Sequence, residues 1–352
     1  MNTSMKRIIN KLNTARYFLT PPIFSTLYKK FFVKRKIEIK NDYSYLSLLN
    51  DLESEGIGHF ISDDMVKHFC RIKREAYLDS TTRDLQIDDK DLQSNLNELS
   101  EEGFTVIKNI LSKDELESIN TKILPLAEAQ IAEIIKFRTK QNPRITSKVI
   151  KKEEDGLTIL HNLYDGVVRV RPIETLIPSI EKLGIKSDIH KICQSYLGGI
   201  VSASRFYLDI KGVPDASDSS VTLHGDSYGN ICKAFIALED VTDENAPFLY
   251  FSRSHKQGKW RLFKDLLEFS NINSEYHDYF SMYNTISMFK VSEEDNGVDI
   301  KPVRVLLKAG DAIIVDTYGI HGATDLLSGR RVQLGLVYES RGLGAQDKYV
   351  SP

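Results

Sequence analysis

Gly310-Asp311-Ala312-Ile313-Ile314-Val315-Asp316-Thr317-Tyr318-Gly319-Ile320-His321-Gly322 reads as a tight turn, a short buried strand and a histidine at the strand's end. Four consecutive apolar residues, three of them β-branched and bounded by Gly-Asp on one side and Asp-Thr on the other, fit a strand covered on both faces. Similar short runs recur on both sides. Val167 to Val170, Val201 to Ile210, Ile231 to Leu238, Pro247 to Phe251, Val303 to Leu307 and Val332 to Tyr338 are the clearest, separated by Gly, Pro, Asp and Asn. No long helices alternate with them, so a β-sandwich or jelly roll is expected rather than a doubly wound parallel sheet.

Upstream the texture changes. Glu101-Glu102-Gly103-Phe104-Thr105-Val106-Ile107-Lys108 reads as a first strand. Ser112-Lys113-Asp114-Glu115 then has the form of a capping box opening a helix that carries Leu116, Ile119, Ile123 and Leu124. A domain is expected to run from 99 to 352, with an aromatic-rich lid insertion at about 256–302 that includes Trp260, Phe263, Tyr276 and Tyr283. Residues 43–98 are polar and helix-like and are expected to form an extension or cap. Residues 1–42 form a basic, aromatic arm; Met1 to Lys36 holds no acidic residue but interleaves Lys6, Arg7, Lys11, Arg16, Lys29 and Lys30 with Tyr17, Phe18, Phe24 and Tyr28. That composition suits peripheral contact with an anionic membrane through residues 1–36, and equally an arm packed on the protein body. No recognised binding module accompanies the basic run, so nucleic acid is not expected as a partner.

The whole chain sets few further bounds. Its 352 residues carry 47 Lys and Arg against 49 Asp and Glu, a balance that favours no particular charged partner. Cys70, Cys193 and Cys232 are odd in number and widely spaced, which offers neither a disulfide framework nor a zinc-type pair and fits a reducing, cytoplasmic setting. No apolar run approaches the roughly 20 residues of a spanning helix.

The chemistry centres on His224-Gly225-Asp226 and His321. On a strand, residues two apart project to one face, so His224 and Asp226 can both reach one metal ion, and His321 from another strand completes three ligands. Two imidazoles and a carboxylate leave adjacent coordination positions open, the facial arrangement suited to non-haem iron(II). His-x-Asp alone is weak evidence, since the triplet arises readily by chance. Arg331 strengthens it. Ten positions after His321 and at the start of the next strand, its guanidinium matches the distal carboxylate of a 2-oxoglutarate molecule chelating the metal. Arg330, adjacent on the strand, is expected to face the other way.

The segment from His224 through Ala234-Phe235-Ile236-Ala237-Leu238-Glu239-Asp240-Val241-Thr242-Asp243-Glu244-Asn245-Ala246-Pro247 to Arg253-Ser254-His255 resembles the phytanoyl-CoA dioxygenase family. That family shows a ligand triplet, an apolar strand ending in acidic residues, an Asn-Gly-Pro-like turn and a Pro-Gly-Ser-His-like box. Two positions depart from the pattern: Ala246 stands where Gly is usual, and Ser252-Arg253 replaces Pro-Gly. The resemblance covers about Leu99 to Tyr338. It implies an α+β, mainly β fold, a double-stranded β-helix (jelly-roll, cupin-like) core with flanking helices and a helical N-terminal extension. It also implies iron(II), 2-oxoglutarate and O2 as cofactors, His224, Asp226 and His321 as catalytic metal ligands, and Arg331, Arg169 and Tyr207 as co-substrate contacts. For Arg169 a surface ion pair, and for Tyr207 ordinary core packing, are the alternatives. His255 is expected to be structural, and His161 and His190 to be packing or surface residues. Because Asp226 retains the carboxylate that related halogenases lose, hydroxylation of an aliphatic C–H bond in a small-molecule, sugar or lipid-linked substrate is expected, with desaturation or ring formation sharing the same oxidant. An inactive jelly-roll ligand-binding or scaffold protein, or a zinc hydrolase on a cupin-like barrel, would be indifferent to 2-oxoglutarate.

Overall fold

The computed structural model describes residues 85–140, 149–163, 165–198, 201–214, Gly225, 231–256 and 301–340. The basic arm, the extension as far as residue 84, His224, Asp226 and most of the aromatic lid insertion lie outside the described residues. No helix among the described residues is long and apolar enough to cross a membrane.

Helix α1, Lys90–Glu102, starts at Asp89, whose carboxylate accepts the amides of Asp91 and Leu92. Leu92, Leu96 and Leu99 recur on one face and are buried in the core, so the helix crosses the boundary drawn between 98 and 99. It ends at Gly103, whose left-handed φ of 85° caps the last turn. Glu101 and Glu102, expected in a strand, therefore belong to the helix, and strand β1 is only Phe104–Ile107. Helix α2, Lys113–Lys140, opens with the expected capping box: Ser112 N–H donates to Glu115 and Glu115 N–H to the Ser112 hydroxyl. That hydrogen bonding holds the Glu115 carboxyl below its ordinary range.

Next come β2 (Val149–Glu154), β3 (Leu157–Asn162) and β4 (Val167–Arg171). Helices α3 (Ile180–Lys186) and α4 (Asp188–Leu197) follow. The remaining strands are β5 (Val201–Lys211), β6 (Ile231–Ala237), β7 (Phe248–Ser252), β8 (Lys301–Val305), β9 (Ala312–Asp316), β10 (His321–Ala323) and β11 (Arg331–Ser340). Among the described residues one sheet has eight strands in the order β1-β9-β6-β11-β5-β4-β3-β2, the other has three, β10-β7-β8, and every pairing is antiparallel. From β6 onward the chain passes from the large sheet to the small one and back, then repeats the move. This crossing makes the core a jelly roll, a double-stranded β-helix.

Side-chain parity divides the large sheet. Leu208, Ile210, Ala234, Ile236, Ile314, Val332, Leu334 and Leu336 join α1, α2 and α4 in the outer core. Tyr207, Phe235, Ala237, Ile313, Val315 and Val337 face the small sheet and meet Phe248, Tyr250 and Val305 between the layers. Strands β2 and β3 were not among the expected ones. β2 closes one edge of the large sheet with Lys151, Lys152, Glu153 and Glu154, a charged sequence that carries little strand signal but discourages pairing with another chain.

Candidate metal and co-substrate site

His321 does not end strand β9, as the sequence suggested, but opens β10 in the opposite sheet. Thr317–Ile320 make the crossing. Gly319 permits it because a Cβ there would lie 1.8 Å from the hydroxyl of Tyr250. His321 pairs with Tyr250 on β7. Its buried ring stacks on Phe248 at a centroid distance of 5.5 Å and on Tyr250 at 6.5 Å. Nδ1 lies 2.9 Å from the Gly319 carbonyl oxygen. A carbonyl only accepts, so Nδ1 carries the proton and, in the neutral ring, Nε2 carries the lone pair. This is the arrangement by which proteins fix the tautomer of a metal-binding imidazole.

The crossing itself is clamped. Ile320 N–H donates to the Ser254 hydroxyl at 2.7 Å, Phe251 N–H donates to Ile320 O at 2.9 Å, and the Tyr250 hydroxyl donates to Asp316 O at 3.0 Å. Ser254 and His255 follow β7. His255 Nε2 lies 3.1 Å from Ser100 O, so its ring ties this turn to α1 in the packing role expected of it. Among the described residues no three His, Cys, Asp or Glu side chains gather as a metal group. Of the three predicted ligands they include His321; Gly225, between the other two, is buried.

Arg331 opens β11 on the parity of Val337, so it faces the space between the sheets. It is 6% exposed, and its guanidinium donates to the carbonyl of Ala246. Arg330 faces the other way, as expected: Nε and Nη2 grip Glu239 at 2.7 and 2.8 Å, and Nη1 reaches Glu128 on α2 at 3.1 Å. These carboxylates push the guanidinium above its already high range. Its role is therefore to join α2 to the base of β11.

Arg169, on β4, is exposed, lies 3.5 Å from Asp209 and stacks 4.6 Å above the ring of Tyr207. Tyr207, on β5, is buried with its ring edge-on to Phe235. The two therefore touch, on the same inner face as Arg331, and a surface ion pair and core packing coexist with that placement. His161 is fully buried against Gln130, with Nε2 2.9 Å from its side-chain oxygen, and burial holds its pKa below the ordinary value. His190, on α4, is likewise lowered by burial.

Sequence reasoning passed over two inner-face residues beside Arg331. Lys211 is its direct cross-strand partner on β5, and Gln333 lies two residues further along β11. Period-two spacing from Arg331 points to Gln333. Nothing local points to Lys211, since its pairing spans 120 residues of sequence.

With the jelly roll, the anchored histidine and the inward arginine in place, comparison with known proteins is decisive at the level of family. Residues 99–332 match the phytanoyl-CoA dioxygenase (PhyH) family. The chain belongs to it. This is a family of iron(II)- and 2-oxoglutarate-dependent dioxygenases. Similar solved structures include the non-haem alpha-ketoglutarate-dependent epimerase SnoN from nogalamycin biosynthesis, with 15% identity, 71% of this chain and 83% of that chain covered, and a TM-score of 0.44. HygX from Streptomyces hygroscopicus, with nickel and 2-oxoglutarate bound, shows 15% identity, 71% and 87% coverage and a TM-score of 0.43. Overlap at that level adds nothing to the family match. The curated relatives are proteins named "Flavohemoprotein" from Bacillus thuringiensis subsp. konkukian (strain 97-27) and Bacillus cereus (strain ATCC 10987 / NRS 248). Each is 22% identical over 208 residues, covering 56% of this chain, and the chain spans 44% of the length of these relatives.

Against the PhyH pattern, the two departures acquire a physical meaning. Ala246, in place of Gly, has φ 61°, and Arg253, in place of the Gly of the Pro-Gly-Ser-His-like box, has φ 66°. Both adopt the left-handed backbone that glycine tolerates and other residues enter at a cost. The turns persist because they are held from outside: Ala246 O accepts Arg331, and Arg253 N–H donates to Glu102 O at 2.9 Å.

Proposed function

We propose that this PhyH-family protein hydroxylates an aliphatic C–H bond of a small-molecule, sugar or lipid-linked substrate. The observation that carries this reading is the buried, tautomer-fixed His321 on β10, facing the interlayer space that Arg331 enters from β11. His224, Asp226 and His321 would hold iron(II), and Arg331 the distal carboxylate of 2-oxoglutarate, with Arg169 and Tyr207 as further contacts. The donor set fits: a neutral imidazole with its lone pair on Nε2, and a buried guanidinium fork for a carboxylate.

When bound, iron(II), 2-oxoglutarate and O2 supply the oxidation, converting the co-substrate to succinate and CO2 as one oxygen atom enters the substrate C–H bond. The chain's own residues do the positioning. Gly319 O keeps the His321 ring from turning. Phe248 and Tyr250 cover both the ring and the inner wall, excluding water from the reacting space. Arg331 fixes the depth at which a keto acid enters the barrel. The aromatic insertion and the basic arm, both outside the described residues, are where substrate selection and contact with a membrane are proposed. A cytoplasmic enzyme working at the inner face of a membrane is consistent with the three scattered cysteines and the Met1 to Lys36 sequence.

The test is anaerobic addition of iron(II) and 2-oxoglutarate, watching for the weak visible charge-transfer band of the chelate and, on admitting O2, for succinate. The band should vanish in His224→Ala and require far more 2-oxoglutarate in Arg331→Ala. Iron bound by the intact protein with no band would overturn the reading. Flotation with anionic liposomes, comparing the full chain with one lacking residues 1–36, tests the membrane contact; both remaining in solution would end it.

A further inference from the structure

One rung of the large sheet lies level with His321. Phe104, Val315, Lys233, Val337 and Arg205 stand opposite one another in turn on β1, β9, β6, β11 and β5. Phe104 packs against Tyr250 at 5.4 Å, and Tyr250 is the cross-strand partner of His321. Arg205 therefore marks the His321 end of the inner face, whereas Arg331 lies six residues back along β11, about 20 Å away at the rise of an extended strand. A co-substrate reaching from His321 toward Arg331 leaves the Arg205 end to the molecule that is oxidised.

That end is uncovered and basic. The core between the sheets draws inner-face residues from β1, β9, β6, β11 and β5, and among the described residues none from β4, β3 or β2. In place of apolar side chains, β4 and β5 carry Arg169, Arg171 and Arg205 on this face, with Arg171 and Arg205 half-buried. Burial, and then the charges of Arg205 and Arg169, hold the Arg171 guanidinium below its ordinary range; the opposing pull of Glu153 is weaker than either arginine's push. Glu153 is itself engaged by Lys151 at 2.9 Å and by the Thr158 hydroxyl at 2.8 Å.

Arg205 supplies the second, independent observation. Its Nη2 donates to Glu339 Oε1 at 2.8 Å, while Nε is buried and has no hydrogen-bond partner among the described residues. A shielded N–H without an acceptor is costly unless a ligand arrives to accept from it. A carboxylate satisfies one guanidinium fork; two forks on adjacent strands suit the three oxygens and double charge of a phosphate.

We propose that Arg171 and Arg205 bind a phosphate group of the substrate at the His321 end of the inner face. The proposal rests on the reading of the site given above and narrows its substrate to a phosphate ester, either a soluble sugar phosphate or a phosphate-linked lipid. Glu339 holds the Arg205 fork when no substrate is present and competes with the phosphate for it.

The experiment uses the full chain loaded with iron(II) and saturating 2-oxoglutarate without oxygen, so that the co-substrate's own site is filled. Glucose 1-phosphate is titrated by calorimetry, and phosphatidylcholine vesicles with and without a polyprenyl phosphate are tested by flotation, which separates the soluble from the lipid source. One probe should bind the intact protein. Arg171→Met and Arg205→Lys should each weaken it about tenfold, Glu339→Gln should tighten it about threefold, and Arg304→Met, on exposed β8, should change nothing. Arg205→Lys keeps a cation for Glu339 while removing the fork, melting checks each fold, and a purely structural ion pair would not make Glu339→Gln bind more tightly. Binding of neither probe, or binding unaltered in Arg171→Met and Arg205→Lys, overturns the proposal alone if the chelate band of the intact protein is present. Iron bound with no chelate band overturns the underlying reading, and the proposal with it.

Discussion

Replacing Gly319 by alanine tests whether the β9–β10 crossing positions His321. The new Cβ would lie 1.8 Å from the Tyr250 hydroxyl oxygen, 2.4 Å from Cζ and 3.0 Å from Cε2. The first contact is roughly 1.5 Å short of van der Waals separation. Tyr250 is fully buried between Phe104 and His321, so its ring has no free direction in which to retreat. Overpacking of this kind costs about 1–3 kcal/mol. Displacing the hydroxyl from Asp316 O removes a buried hydrogen bond worth about another 1 kcal/mol, giving about 2–4 kcal/mol in all. Because the Gly319 carbonyl also anchors His321 Nδ1, loss of its position should lower iron(II) affinity about 10- to 100-fold, the range seen when such supporting groups are removed. Urea denaturation and anaerobic equilibrium dialysis with iron(II) measure the two effects. Tyr250→Phe in the same chain should not rescue it, since Cζ remains 2.4 Å from the new methyl group. A Gly319→Ala protein with an unchanged urea midpoint and unchanged iron affinity would refute the reasoning.

Arg330→Met should lower stability by about 1 kcal/mol through loss of its hydrogen bonds to Glu239 and Glu128, yet leave 2-oxoglutarate affinity unaltered; Arg331→Met should do the reverse to affinity, as paired melting and binding measurements would show. Arg253→Gly should stabilise the fold by about 1 kcal/mol, since it relieves a left-handed φ of 66°, and an unchanged or lower melting temperature would count against strain at that turn. His161 and His190 have folded pKa values depressed by burial, so the unfolded chain binds more protons as pH falls. Their contribution is fully present above the unfolded pKa near 6.5 and is lost as pH falls below it, by up to about 1.4 kcal/mol per pH unit for each group. His161→Gln should therefore flatten the loss of melting temperature between pH 7 and pH 5 relative to the parent chain.

The jelly roll was legible where strands are apolar and β-branched. Ala312–Asp316, Ile231–Ala237 and Arg331–Ser340 fall within a residue or two of the expected runs, because strands buried on both faces leave a dense signal. β2 was not legible, since an edge strand of Lys and Glu looks like a loop; nor was β10, whose three residues are too few for any period. At Glu101-Glu102-Gly103 the sequence suggests a strand, whereas the glycine's place after Leu92, Leu96 and Leu99 marks a helix cap. His321 and Arg331 are proposed from spacing and parity, which local sequence carries. The placement of Lys211 needed the register between β5 and β11, and one sequence holds no record of which strands pair.

The pairing also explains why two consecutive arginines at the base of β11 have separate tasks. A strand sends neighbours to opposite faces, so the two guanidiniums meet different surroundings. Arg330 meets carboxylates from the β6 end and from α2, fastening the outer layer to the sheet. Arg331 donates to a backbone carbonyl, a contact that aims the guanidinium. That carbonyl belongs to Ala246, whose left-handed φ of 61° turns the chain there. The turn at Ala246 and the aim of Arg331 are thus one feature: a residue that relaxed the turn would move the acceptor, and the arginine with it. A glycine at 246 would hold the same turn without the cost of a left-handed alanine, so Ala246→Gly should leave the acceptor, and the aim of Arg331, in place while raising the melting temperature.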